Sequence, residues 1–213
     1  MDGLPLPYVS IFKDRERVFP PLVLRRLGCV VACDMLVNNW DRFPARQLWS
    51  NEGNPSNLMM SCRNEKNEEE SGHPCHLVMI DQKVTPISHL PMRERYLEKV
   101  RKMCSNPNFE WLREFLVTMC GLDIGAEGTH QVEEGFRKAL ELLAAGEGKV
   151  LGALLDKVER RVRDEMIKGK EDIIPGDVIE RIQENLQKYT AFISEIIEAI
   201  LSTLHAHPDP VDL

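Results

Sequence analysis

The 213-residue sequence predicts an α+β fold, mostly helical, with one small β-hairpin and additional C-terminal helices. Three observations lead there. Leu24, Leu27, Val31 and Met35 recur at three- and four-residue steps, as do Val178, Ile182, Leu186, Tyr189, Ile193, Ile196, Ile197 and Ile200. That spacing lines one face of a helix. Two short apolar runs, 57–62 and 76–81, flank a strongly polar segment and read as paired strands. Prolines and glycines then cut the remainder into helix-sized pieces.

In chain order, residues 1–20 read as an irregular lead-in, because Pro5, Pro7, Pro20 and Pro21 oppose an early helix. Leu22 to Asn38 reads as the first helix, with Pro21 suited to its first turn. Residues 63–72 carry almost no apolar side chain and cannot offset their own ordering entropy, so they form an exposed loop between the two strands. Leu77 to Ile80 is short and apolar enough for a buried strand that delivers Asp81 at its end. Thr85-Pro86 and Leu90-Pro91 then demand an extended or turning path. Further helices are expected near 92–104, 108–120, 129–145, 147–168 and 175–205, with residues 206–213 as a tail. The last amphipathic helix packs against its own domain, so a monomer is expected rather than a coiled-coil dimer.

Composition narrows the function. A hydrophobic content of 43% and a charged content of 29% are those of an ordinary globular chain. The net charge of −7 argues against a nucleic-acid binder, which is more often basic. No apolar run reaches the roughly 20 residues of a membrane span, and Arg25, Arg26 and Asp34 interrupt the nearest one. The N-terminus has no basic-then-apolar signal; a cytoplasmic protein is expected. The cysteines are scattered without a CxxC pair and read as reduced, buried thiols. A metal site built from Cys62, His73, Cys75 and His76 is the alternative. The adjacency of Cys75 and His76 departs from the wider paired spacing of structural zinc sites.

The chemistry lies between Asp34 and Asp81. An apolar helix ends at Asn38-Asn39-Trp40-Asp41-Arg42-Phe43-Pro44. A polar loop then leads through Gly53 and Asn54 to Asn57, which opens Leu58-Met59-Met60. A second apolar run delivers Asp81. Kinase-type phosphoryl transfer uses these parts: one carboxylate facing the acceptor hydroxyl, then an Asn and an Asp holding metal on the phosphates. Asp41, Asn57 and Asp81 are the candidates. For Asp41 alone, a structural Asp satisfied by backbone amides explains the pattern equally well. For Arg42 the readings are a loop brace, a phosphate contact or a surface arginine. Asp34 reads as a hydrogen-bonding support for the loop in preference to a metal ligand.

The segments NNWDRFP, NEGNPSNLMM and VMIDQKVTPI together resemble the catalytic domain of actin-fragmin kinase, a protein-kinase-like family. The resemblance is close over residues 20–90 and weaker to about residue 205. It implies a kinase-like large lobe over 21–205, with a catalytic loop at 38–60, a metal-Asp segment at 76–90 and a helical part at 92–205. It also implies Asp41 as the catalytic-loop Asp, with Arg42 and Asn39 beside it, Asn39 standing where the ordinary His would brace the loop. Asn57 and Asp81 become the ligands of Mg2+ and, through it, of ATP. Two departures from the common kinase pattern are shared with the resembled family. Asp81 is followed by Gln82-Lys83, and Arg46 occupies the position where a metal-binding Asn is usual. Asn54 stays open as the alternative to Asn57.

The implied activity is transfer of the ATP γ-phosphoryl group to a protein Ser or Thr, with actin or an actin-binding complex as the partner. The glycine-rich loop and strand lysine of a kinase small lobe normally precede the catalytic loop by on the order of a hundred residues. Only forty residues stand before Asp41, and neither element is among them. The chain is therefore expected to be a large-lobe piece with little activity alone. The alternative is a non-catalytic helical binding or scaffold module of kinase descent.

Overall fold

The computed structural model describes residues 3–5, 19–62, 75–81, 83, 85–145 and 175–206, with isolated positions between 153 and 168. The polar loop at 63–72 and most of the helix expected at 147–168 lie outside the described residues, as do His73 and the tail from 207. The elements are β1 (Gly3–Pro5), α1 (Pro21–Val37), a 3-10 turn (Pro55–Asn57), β2 (Leu58–Cys62), β3 (Cys75–Met79), α2 (Leu90–Ser105), α3 (Glu110–Cys120), α4 (Gly125–Ala145) and α5 (Gly176–Ala206). The architecture is mostly helical with a small antiparallel sheet. Among the described residues no helix is long and apolar enough to cross a membrane.

The chain forms two compact units, Met1–Lys83 with Asn106–Leu140, and Val84–Ser105 with Glu141–Leu213. In the first, α1 is the central helix. Pro21 occupies its first turn, where a missing N–H costs nothing, and Asn38 ends it in the left-handed conformation (φ 49°). Val23, Leu24, Leu27, Val30, Val31 and Met35 are buried on more than one side. α1 meets α4 backbone to backbone through two glycines. A Cβ on Gly28 would lie 2.0 Å from the Val132 carbonyl oxygen, and one on Gly135 would lie 1.9 Å from that of Arg25. Cys29 Sγ donates to the Gly135 carbonyl at 3.3 Å at the same crossing.

The expected hairpin is present and gains a strand. β2 is central, with β1 and β3 antiparallel on either side in the order β1-β2-β3. Leu4 pairs with Met60, and Met60 with Leu77. The sequence predicts only irregular chain at 3–5. Pro5 is compatible with a strand there because β1 lies at an edge, where its missing N–H breaks no ladder.

The buried strand expected at Leu77–Ile80 is a correction. β3 is an edge strand with Leu77 and Val78 half-buried and Met79 and Ile80 exposed at 40% and 38%. Asp81 follows at φ 49° and is exposed. Among the described strands β3 pairs with β2 alone, so no further strand covers its second edge.

Beyond the sheet, Phe43 is fully buried and packs edge-on against Trp111 and Phe115 of α3, both at 6.2 Å between ring centroids. Phe109 meets Phe136 at 5.3 Å. These aromatic contacts join the loop after α1 to α3 and α4.

In the second unit, Tyr96 of α2 meets Phe192 of α5 at 5.9 Å, and Arg93 pairs with Glu195 at 2.9 Å. Ile193, Ile196, Ile197 and Ile200 of the predicted stripe are buried, while Val178, Ile182, Leu186 and Tyr189 are half-buried. α2 starts at Leu90-Pro91, earlier than expected, because a proline in a first helical turn removes only an orphan N–H.

Candidate phosphoryl-transfer site

The site grows from the end of α1. The Asn39 backbone N–H donates to the Asp34 carbonyl at 2.8 Å, and Asn39 Nδ2 donates to Asp34 Oδ1 at 3.0 Å. Trp49 Nε1 donates to Asn38 Oδ1 at 2.9 Å, tying the insertion after the loop back onto the helix end. Asn51 Nδ2 donates to the carbonyls of Trp40 and Phe43, the latter at 3.3 Å. Gly53 is required as glycine: its φ is +74°, and a Cβ would lie 2.8 Å from Pro44 Cδ and 3.0 Å from the Arg42 carbonyl.

Arg42 organises what this frame surrounds. It is fully buried. Nη1 pairs with Asp34 Oδ1, Nε donates to the Asn57 carbonyl at 3.2 Å, and Nη2 donates to the Ile80 carbonyl at 3.2 Å. One planar fork thus ties together the end of α1, the entry to β2 and the exit of β3. Among the readings open from sequence, the loop brace is the one this geometry matches. A buried guanidinium cannot reach a phosphate in solvent. Asp34 is also fully buried, and burial raises its carboxyl to about 6 against the lowering pull of Arg42 and Asn39.

Asp41 and Asn57 come together. Asn57 Nδ2 donates to Asp41 Oδ2 at 3.0 Å, while Asn57 Oδ1 accepts from Asn54 Nδ2 at 3.2 Å. Asn54 Oδ1 accepts from the Ser56 N–H at 3.2 Å, capping the 3-10 turn. Asn57 is therefore the asparagine that touches Asp41, and Asn54 orients it. Asp81 arrives through the backbone: the Ile80 N–H donates to the Asn57 carbonyl at 3.1 Å, so Asp81 is one residue beyond the ladder partner of Asn57. Its exposure removes the desolvation argument for its role, since its charge faces water.

Lys83 is the residue that sequence reasoning missed. Its Nζ lies 3.0 Å from Asp41 Oδ2 and 5.3 Å from the centroid of the Trp40 ring. The only signal in the sequence was its position two residues after Asp81. A separate cleft of about 650 Å³ is lined by Pro44, Trp49, Glu52, Trp111 and Phe115 among others. Asp41, Asn57 and Asp81 do not line it. Among the described residues no three His, Cys, Asp or Glu side chains cluster as a metal site. Cys29, Cys33, Cys104 and Cys120 are free thiols, and burial pushes Cys104 up to about 12.

Residues 13–117 match the actin-fragmin kinase catalytic-domain family. The match to the actin-fragmin kinase family begins before α1, spans the loop, β2, β3 and α2, and ends inside α3. It covers a partial domain, consistent with a large-lobe portion. No curated protein matches the chain. The match to a kinase family over these residues suggests phosphotransferase chemistry, and such chemistry in general uses ATP and a divalent metal.

Proposed function

We propose that this chain is the large lobe of a kinase-type phosphotransferase that moves the γ-phosphoryl group of ATP to a Ser or Thr hydroxyl of a protein. The observation that carries the reading is the hydrogen bond from Asn57 Nδ2 to Asp41 Oδ2, made next to the strand end that delivers Asp81. Asp41 is the group that accepts the proton of the acceptor hydroxyl. Asn57 Oδ1 and the Asp81 carboxylate are hard oxygen donors of the type magnesium takes alongside waters and nucleotide phosphates. Bound there, magnesium neutralises phosphate charge. Arg42 and Asn39 are positioning residues: they hold the loop and touch no substrate. The family name suggests actin, or a complex of actin with a binding protein, as the acceptor, in the cytoplasm.

Kinase chemistry divides the nucleotide between two lobes, and the residues assigned here belong to one. The chain alone is expected to transfer little phosphate. Fused to the small lobe of an actin-fragmin kinase, it is expected to incorporate radiolabelled phosphate into actin, and Asp41→Asn is expected to abolish this. Undiminished transfer by that variant would remove Asp41 from the mechanism. Robust transfer by the 213-residue chain alone would remove the two-lobe argument.

A second reading, a kinase-derived binding module, draws on one observation. The Asp41 carboxylate is already paired with an ammonium group. Silence of the fused protein toward actin, with fold intact, favours that reading.

A further inference from the structure

The Lys83–Asp41 pair extends the phosphotransferase reading and rests on it. Asp41 Oδ2 accepts from both Asn57 Nδ2 and Lys83 Nζ, each at 3.0 Å. Among the described residues its Oδ1 has no hydrogen bond, which leaves that oxygen for an incoming hydroxyl. Lys83 is half-exposed, at 45% for its side chain, whereas Asp41 is exposed at only 20%. An ammonium has three N–H donors. One is used on Asp41, and the Trp40 face limits where the stem can swing. Two other cations of this segment, among the described residues, have different contacts. Arg42 is buried on three oxygen acceptors, and Arg46 faces Glu114 at 3.8 Å. Beyond the left-handed turn at Asp81, Lys83 thus presents positive charge to solvent at the candidate base.

We propose that Lys83 is the phosphate-contacting cation of this site, bridging Asp41 Oδ2 and the oxygens of the transferred phosphoryl group. In the step it serves, the acceptor hydroxyl oxygen forms a bond to the γ-phosphorus and the bond from that phosphorus to the β-bridging oxygen breaks. ADP leaves with the electron pair, and the hydroxyl proton passes to Asp41 Oδ1. The equatorial phosphoryl oxygens carry negative charge throughout, and a fixed cation beside them lowers the barrier without reorganising. The same contact holds Asp41 Oδ2, so the base presents its other oxygen.

The test uses magnesium tripolyphosphate, which presents a phosphate chain with no base for a small lobe to hold. Calorimetric titration compares the full chain with Lys83→Met, Lys83→Arg and Lys188→Met. Lys188 is a charge-matched control on α5, paired with Glu184. The expected result is magnesium-dependent binding weakened roughly tenfold or more in Lys83→Met. Lys83→Arg keeps most of the affinity, Lys188→Met keeps all of it, and all variants share one unfolding midpoint. Equal affinity in wild type and Lys83→Met, or equal losses in Lys83→Met and Lys188→Met, overturns the Lys83 assignment and leaves the phosphotransferase reading standing. A wild-type chain that binds neither magnesium tripolyphosphate nor magnesium ATP overturns both.

Discussion

The guanidinium of Arg42 and the carboxylate of Asp34 form an ion pair with neither side chain exposed to solvent. It joins the last turn of α1 to the loop that bears Asp41. Because the same guanidinium also binds the Asn57 and Ile80 carbonyls, the positions of Asp41, Asn57 and Asp81 depend on one buried charge.

Removing that charge leaves a carboxylate buried without its partner. Arg42→Met is expected to destabilise the fold by about 3–5 kcal/mol at neutral pH. Arg42→Lys is expected to recover little, because a point charge cannot reach three acceptors arranged for a fork. Urea unfolding of the two variants checks both statements. A loss below about 1 kcal/mol, the size of a surface pair, would deny Arg42 its bracing role.

Asp34 adds a pH dependence. Burial raises its carboxyl from 3.8 to about 6, more than Arg42 lowers it. The folded protein therefore holds this proton more tightly than the unfolded chain does. The group's contribution to stability is full below about pH 4 and is lost as pH rises through about 6. The unfolding free energy of the wild type minus that of Asp34→Asn is expected to fall by on the order of 3 kcal/mol across that window. A rise over the same window would mean that the attraction of Arg42 outweighs burial.

The crossing of α1 and α4 gives a sharp contrast among glycines. Gly28→Ala and Gly135→Ala each force a methyl group into carbonyl backbone, and each is expected to cost about 3 kcal/mol or more despite the better helix propensity of alanine. Gly176→Ala meets nothing within 4 Å and is expected to be neutral or slightly stabilising. Thermal unfolding of the three variants decides the matter. Mild behaviour at Gly28 would mean that the helices separate easily.

At the site, Asp41→Asn and Asp81→Asn are expected to fail differently in the fused enzyme. Asp41→Asn removes the proposed proton acceptor, so transfer is expected to be lost while magnesium-dependent nucleotide binding persists. Asp81→Asn removes the proposed anionic oxygen ligand, so the magnesium concentration needed for binding is expected to rise about tenfold or more. Magnesium titrations followed by nucleotide binding separate the two. Identical magnesium dependence in wild type and Asp81→Asn would remove Asp81 from the metal assignment.

The segments that carry Asp41, Asn57 and Asp81 are legible in the chain. The order Asp41, Asn57, Asp81 was read from residue types bounded by apolar runs, and the α1 face was read from Leu24, Leu27, Val31 and Met35 at helical spacing. The β2–β3 hairpin followed from two apolar runs around a polar segment. Each of these signals is local, carried by a period or a boundary a few residues long. Which asparagine meets Asp41 was open, and the hydrogen bond of Asn57 to Asp41, with Asn54 behind it, came only with the folded turn. The edge exposure of β3, the burial of Arg42 and the arrival of Lys83 on Asp41 from 42 residues away were likewise decided in three dimensions. So was the contact of Gly28 with α4. A charged side chain is buried or exposed according to how many acceptors distant segments bring to it. Arg42 meets three and disappears from solvent. Among the described residues Lys83 meets one and keeps donors to spare.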